Sequence, residues 1–245
     1  MHTTYKNKVY LYPMRLLYPP RCTFCEEILP LTVDNLWCDY CQEAYPLIED
    51  PVCKKCGKQL AHDDDRCLDC KVTTHHYIQG VALYSYEGGV KEAIYRFKYG
   101  GRRKYAQFFA KMMYQKLKET AFFHKIDLII PVPVSKERLK ERGYNQAGEI
   151  AKHLSNMSQI PYNGTILTRQ KHTKPQSGFG PAQRHENIHG AFTTSEPLLP
   201  EYQVILLIDD IYTTGSTIDE CAKTLKTAGA MQIYSCVASI GSLGS

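Results

Sequence analysis

No run of about 18 apolar residues occurs in the 245-residue chain, so a membrane-spanning helix is not expected. The opening segment MHTTYKNKVYLYPMRLLYPP lacks the basic stretch and apolar core of a secretory signal, which points to a cytosolic protein. Acidic residues are missing from 169 to 185, where Lys171, Lys174 and Arg184 fall with Phe179 between them. The histidines, His75 and His76 included, show no metal-ligand spacing and are assigned nothing.

Charge is unevenly spread. The formal net charge is +5, yet residues 1–75 hold 9 Lys/Arg against 11 Asp/Glu and residues 76–245 hold 21 against 14. The basic surplus therefore belongs to the C-terminal two-thirds and suits phosphate-bearing partners.

Eight of the ten cysteines lie between residues 22 and 70, as the C-x-x-C pairs Cys22/Cys25, Cys38/Cys41, Cys53/Cys56 and Cys67/Cys70. The set of two pairs repeats with an offset of 31 residues for its first pair and 29 for its second, an internal duplication. Each C-x-x-C turn offers two thiolates on one side of a knuckle, and Zn²⁺ takes four in a tetrahedron. Disulfides would need a secretory context, and four redox motifs exceed what redox chemistry uses. Two structural zinc ions follow, paired either as consecutive four-cysteine ribbons or cross-braced. Gly57, directly after Cys56, suits a tight turn. Cys221 and Cys236 lie in apolar patterns and read as small core residues.

From about residue 76 the pattern changes, giving an expected division into residues 1–75 and 76–245. VALYSY (81–86), DLIIPVPV (127–134), VILLID (204–209) and QIYSCVASI (232–240) read as strands, several apolar throughout, as in a sheet covered on both faces. Ala147, Ile150, Ala151 and Leu154 follow helical spacing, as do Ile218, Cys221, Ala222 and Leu225 before Gly229. The alternation predicts an α/β fold with an open, mostly parallel sheet. Residues 169–190 lack periodicity and read as an inserted lid.

The stretch VILLIDDIYTTGSTI (204–218) carries the chemistry. It runs a buried strand into Asp209 and Asp210, then into Thr213, Thr214, Gly215, Ser216 and Thr217 at a helix N-terminus. Backbone N–H groups and hydroxyls there make a phosphate cradle. Two adjacent carboxylates suit vicinal hydroxyls or outer-shell contacts to Mg²⁺ on a phosphate. A sugar phosphate presents both groups.

This stretch resembles the PRPP (phosphoribosyl pyrophosphate) motif of type I phosphoribosyltransferases. FKYGGRRKYAQ (97–107), PVPVSKERLKERGYNQA (131–147) and TKPQSGFGPAQRHENIHGAF (173–192), with the double zinc ribbon, look like the ComF family of competence proteins. The resemblance spans about Pro19 to Ser239. It implies that the acids hold ribose hydroxyls, the Thr-Gly loop the 5′-phosphate, and Lys98-Tyr99-Gly100 the pyrophosphate. It also implies handling of incoming single-stranded DNA on the cytosolic side, with the ATP-dependent translocase ComFA as partner. Arg138, Arg142, Asn145 and Gln146 follow a strand end and suit phosphate. Arg102 and Arg103 fit either phosphate or a solvated basic face. Basic residues interleaved with an aromatic, as at 169–185, suit a single strand. Exposed tyrosines among Tyr84, Tyr86, Tyr95, Tyr99 and Tyr105 would add stacking surface. Three readings follow: a PRPP-binding competence protein, a working phosphoribosyltransferase, and a zinc-ribbon adaptor with a vestigial site.

Overall fold

The computed structural model describes residues 15–32, 36–170 and 188–241. Its centre is a four-stranded sheet of β1 (Gln79–Ser85), β2 (Leu128–Pro131), β5 (Val204–Tyr212) and β6 (Gln232–Ile240). The strand order is β1-β6-β5-β2 and every pairing is parallel, with Ile205 opposite Ile233 and Asp209 opposite Val237. A separate antiparallel pair joins β3 (Leu167–Arg169) to β4 (Phe192–Thr194).

The apolar runs are continuous because both faces are covered. Leu206, Ile208, Tyr234, Cys236 and Ala238 point into one core, against α3 (Gly88–Tyr99), α4 (Tyr105–Lys118) and α6 (Gln146–Ser158). Ile205, Leu207, Ile233 and Val237 point into the other, with Ile218, Cys221 and Leu225 of α7 (Ser216–Thr227). The period-2 alternation thus divides each strand between two apolar cores, as a two-sided sheet requires. A short helix, α5 (Lys136–Arg142), is capped by Ser135 and ends at Gly143 with φ +76°.

The sulfurs settle the zinc pairing. Cys22, Cys25, Cys38 and Cys41 form one group and Cys53, Cys56, Cys67 and Cys70 another, with the sulfurs of each group within 4.8 Å of one another. The ribbons are consecutive, not cross-braced. Cys25–Cys38 and Cys56–Cys67 are each 3.7 Å apart, close to the ~3.8 Å edge of a tetrahedron built on Zn–S bonds of about 2.3 Å. The donors fit structural Zn²⁺. Each ribbon places its second cysteine pair around a short helix, α1 (Asp39–Ala44) or α2 (Leu68–Val72).

The duplication holds at the backbone. Cys22 N–H bonds the Glu27 carbonyl and Glu26 N–H the Cys22 carbonyl; Cys53 with Lys58 and Gly57 with Cys53 repeat this 31 residues later. Both turns need a left-handed residue, Glu26 at φ 62° and Gly57 at φ 78°. The two copies differ because they dock differently. A Cβ on Gly57 would lie 2.7 Å from the Ala82 nitrogen, so this knuckle sits directly on β1. Glu26 instead extends a carboxylate to Arg102 at 2.6 Å.

β1 is an edge strand, and the N-terminal segment satisfies its outer side. Ile48 N–H bonds the Leu83 carbonyl, and Gly80 N–H bonds the Lys55 carbonyl. A paired edge offers no template for another chain. Gly57→Ala combines a strained φ with a backbone clash, and we expect it to destabilise the protein by roughly 2 kcal/mol or more in urea titrations. An unchanged midpoint would mean that knuckle and strand part easily.

Candidate functional site

Two features of the fold build the site. β5 continues past its apolar run through both aspartates to Tyr212, rather than ending at the acids. Gly215, at φ +79°, then turns the chain into α7, whose first helical bond runs from Asp219 N–H to the Gly215 carbonyl. Helix geometry leaves the N–H groups of Ser216, Thr217 and Ile218 without intrahelical acceptors. Thr214 and Ser216 hydroxyls pair at 2.9 Å beside them.

In front of this turn lies a cavity of about 500 Å³. Asp209, Asp210, Thr213, Gly215 and Thr217 line it from one side, and Lys98, Tyr99, Arg138, Arg142 and Asn145 from the others. These sequence-predicted residues come from β5, α7, α3, α5 and α6, so the fold gathers them from across about 120 positions. Gly100 caps the C-terminus of α3, which means that Lys98 and Tyr99 sit at a helix end and not in a free loop.

Other predicted residues fall elsewhere. Arg103 forms a two-point pair with Glu149, both contacts 2.7 Å, and Arg102 pairs with Glu26. Neither lines the cavity. Gln146 is buried and accepts from Arg142 at 3.0 Å, so it orients that arginine. Lys171, Lys174 and Arg184, with most of the expected lid, lie outside the described residues. The bounds of that segment are tied down: Gln170 N–H bonds the Ala191 carbonyl, and Gly190 N–H bonds Glu220.

Carboxylates and cationic side chains face one another across the cavity. Burial, with the adjacent Asp210 charge, holds the Asp209 carboxyl well above the ordinary carboxylate range, although the Asp210 N–H donates to it at 2.8 Å. Lys98 Nζ lies 3.1 Å from Asp210 and offsets part of the pair's repulsion. Opposite, burial and the neighbouring Arg138 push Arg169 below its usual value. A neighbouring cation disfavours the charged form, and Asp209 and Glu137 act on Arg169 in the opposite sense.

Arg169 lines the cavity and was not among the predicted site residues. Its signal was faint: it is the basic residue that ends β3, after Leu167 and Thr168. Glu141 is a further lining residue that the sequence did not single out, and Tyr86, named above only as stacking surface, lines the cavity too.

The chain is similar to known proteins over most of its length. A family model for the double zinc ribbon domain matches residues 14–71, and one for the phosphoribosyl transferase domain matches residues 103–239. Competence protein F of Haemophilus influenzae is 31% identical over 218 residues, spanning 87% of this chain and 93% of that protein. The chain belongs to the ComF family of competence proteins. Within the same family range, competence protein ComFC of Bacillus subtilis is 29% identical, covering 81% of each chain. DNA utilization protein YhgH of Escherichia coli K12 is 26% identical over 89% of this chain and 96% of that one. The chain has a type I phosphoribosyltransferase-like fold with an N-terminal double zinc ribbon. Among the described residues no helix is long and apolar enough to cross a membrane.

Proposed function

We propose that this chain is a competence protein for natural transformation that handles incoming single-stranded DNA in the cytosol. Its cavity binds PRPP, or a related sugar phosphate, with Mg²⁺. One observation carries the reading: an acid pair, a helix N-terminus and four cationic side chains (Lys98, Arg138, Arg142 and Arg169) converge on one cavity. Asp209 and Asp210 take the ribose hydroxyls or the outer shell of Mg²⁺, residues Thr213–Thr217 take the 5′-phosphate, and Lys98 and the arginines face the diphosphate. The names of the relatives support the competence role, and thiolate zinc ligands suit a reducing compartment.

The DNA-facing surface is argued from Tyr95 and Tyr99. They are 59% and 51% exposed, their rings are 5.1 Å apart, and Arg142 lies 4.9 Å over the Tyr99 ring. Tyr84 and Tyr105 are buried and Tyr86 is half-buried in the cavity wall, so Tyr95 and Tyr99 offer the exposed stacking surface beside it. Lys171, Lys174 and Arg184 are further candidates for the phosphates of the strand, and a ComFA-type translocase ATPase delivers it.

The test measures thermal stabilisation by PRPP with Mg²⁺, pyrophosphate release across a nucleobase panel, and binding of an oligothymidylate. We expect stabilisation without release, and about tenfold weaker oligothymidylate binding on replacing both Tyr95 and Tyr99 with alanine. Release with one particular base would make the protein a working phosphoribosyltransferase. No response to PRPP would leave the zinc-ribbon adaptor as the better account.

A further inference from the structure

The second ribbon reaches the phosphate loop by two routes that zinc binding does not require. In the first, Asp219 in the opening turn of α7 accepts from the His76 N–H and lies 2.9 Å from His76 Nδ1. His75 Nδ1 is 3.6 Å from the other carboxylate oxygen, and its Nε2 is 3.7 Å from the sulfur of Cys70. Because Asp219 N–H bonds the Gly215 carbonyl, the anchor and the loop share one helical turn.

The second route starts at Lys55, inside the Cys53–Cys56 knuckle, which donates to the carbonyl of Tyr77. The Tyr77 hydroxyl pairs with that of Tyr212 at 2.9 Å in a buried setting. That tyrosine in turn underlies the loop: a Cβ on Gly215 would collide with the Tyr212 hydroxyl. Residues 143 and 135 positions apart thus fasten the cysteine group to both sides of Thr213–Thr217.

We propose that the second zinc ribbon positions the phosphate loop, with His76 and Tyr77 as positioning residues acting through Asp219 and Tyr212. A cradle of backbone N–H groups binds well only when its dihedrals are held before the ligand arrives. A ribbon of this kind folds with its metal, so zinc occupancy sets how well the loop is held. The coupling is reciprocal: a ligand that prefers the ordered loop slows zinc loss from the ribbon. The ligand half of this proposal rests on the sugar-phosphate reading above; the coupling itself does not.

The test uses the zinc-loaded full chain, with Asp219→Ala, the milder Tyr77→Phe, and Lys54→Ala as control. Lys54 pairs with the exposed Asp65 in the same knuckle. Amide exchange of residues 213–219, zinc content and the thermal response to PRPP with Mg²⁺ are measured on each. In Asp219→Ala we expect exchange of 213–219 to rise about tenfold and PRPP affinity to fall about tenfold, with two zinc ions retained and β5 unchanged at 204–208. Tyr77→Phe should move the same readouts in the same direction by less, and Lys54→Ala should match the wild type. Wild-type exchange at 213–219 in both Asp219→Ala and Tyr77→Phe would overturn the proposal. If exchange rises but the wild type never responds to PRPP, the coupling stands and the sugar-phosphate reading falls.

Discussion

Stripping zinc from the protein with a zinc-selective chelator should lower its thermal midpoint by more than about 10 °C and unfold more than the cysteine-rich segment. Structural zinc contributes about 10–16 kcal/mol in zinc-finger peptides, comparable with the whole stability of a domain at roughly 5–15 kcal/mol. Here that contribution is not confined to the ribbons. Phe24, between two zinc ligands, packs 5.4 Å from both Tyr84 of β1 and Phe108 of α4. The second ribbon shares the opposite core with Ala82, Ile130 and Leu207. Without zinc, both cores lose a wall and β1 loses the cover of its edge. Trp37, the single tryptophan, lies 5.4 Å from Phe108 and reports on this junction. Its fluorescence and the far-ultraviolet circular dichroism should change at the same chelator concentration. A tryptophan transition that leaves the helical signal and its midpoint intact would show that the ribbons unfold alone.

Local patterns carried much of this molecule. The spacing of Ile218, Cys221, Ala222 and Leu225 places α7, and QIYSCVASI coincides with β6, because both are runs in which burial alone sets the residue type. The acid pair followed by a Thr-Gly loop identified the floor of the cavity, since repulsion between neighbouring carboxylates is tolerated where a ligand rewards it. What was not legible depends on contacts between distant residues. Whether the cysteine pairs are consecutive or crossed leaves no trace in C-x-x-C spacing. Gly57 read as a turn residue, yet its larger constraint is the approach of β1, about 25 positions away. His75 and His76 carried no metal spacing, and their partner proved to be Asp219. Arg102 and Arg103 fitted either phosphate or a solvated basic face, and neither reading pointed to Glu26 and Glu149, which engage them. Charge in sequence shows how much there is, not which way it faces.

The acid pair also sets stability against function. Burial and Asp210 raise the Asp209 carboxyl, so its charged form is disfavoured in the free fold. A group raised in this way contributes stability that is complete below its unfolded value, near 4, and is lost as pH climbs through the folded one. Asp209→Asn removes the charge at nearly constant shape. It should therefore raise the thermal midpoint at neutral and alkaline pH, by about 2–4 °C for each kcal/mol of repulsion relieved, and have little effect at pH 4. Ligand binding should respond in the opposite sense. On the proposed assignment ribose hydroxyls would donate to the ionised carboxylate and favour its deprotonation, so the wild type should release a proton as it binds. Affinity for PRPP with Mg²⁺ should increase with pH through the raised range and level off above it. Losing the charged acceptor should weaken binding by about a hundredfold, given roughly 1.5–3 kcal/mol for each hydrogen bond to a charged group. Calorimetry in buffers of differing ionisation enthalpy measures the proton, and melting curves across pH measure the stability. A variant less stable than the wild type at pH 8, with its response to PRPP intact, would place the hydroxyl-binding acid elsewhere in the cavity.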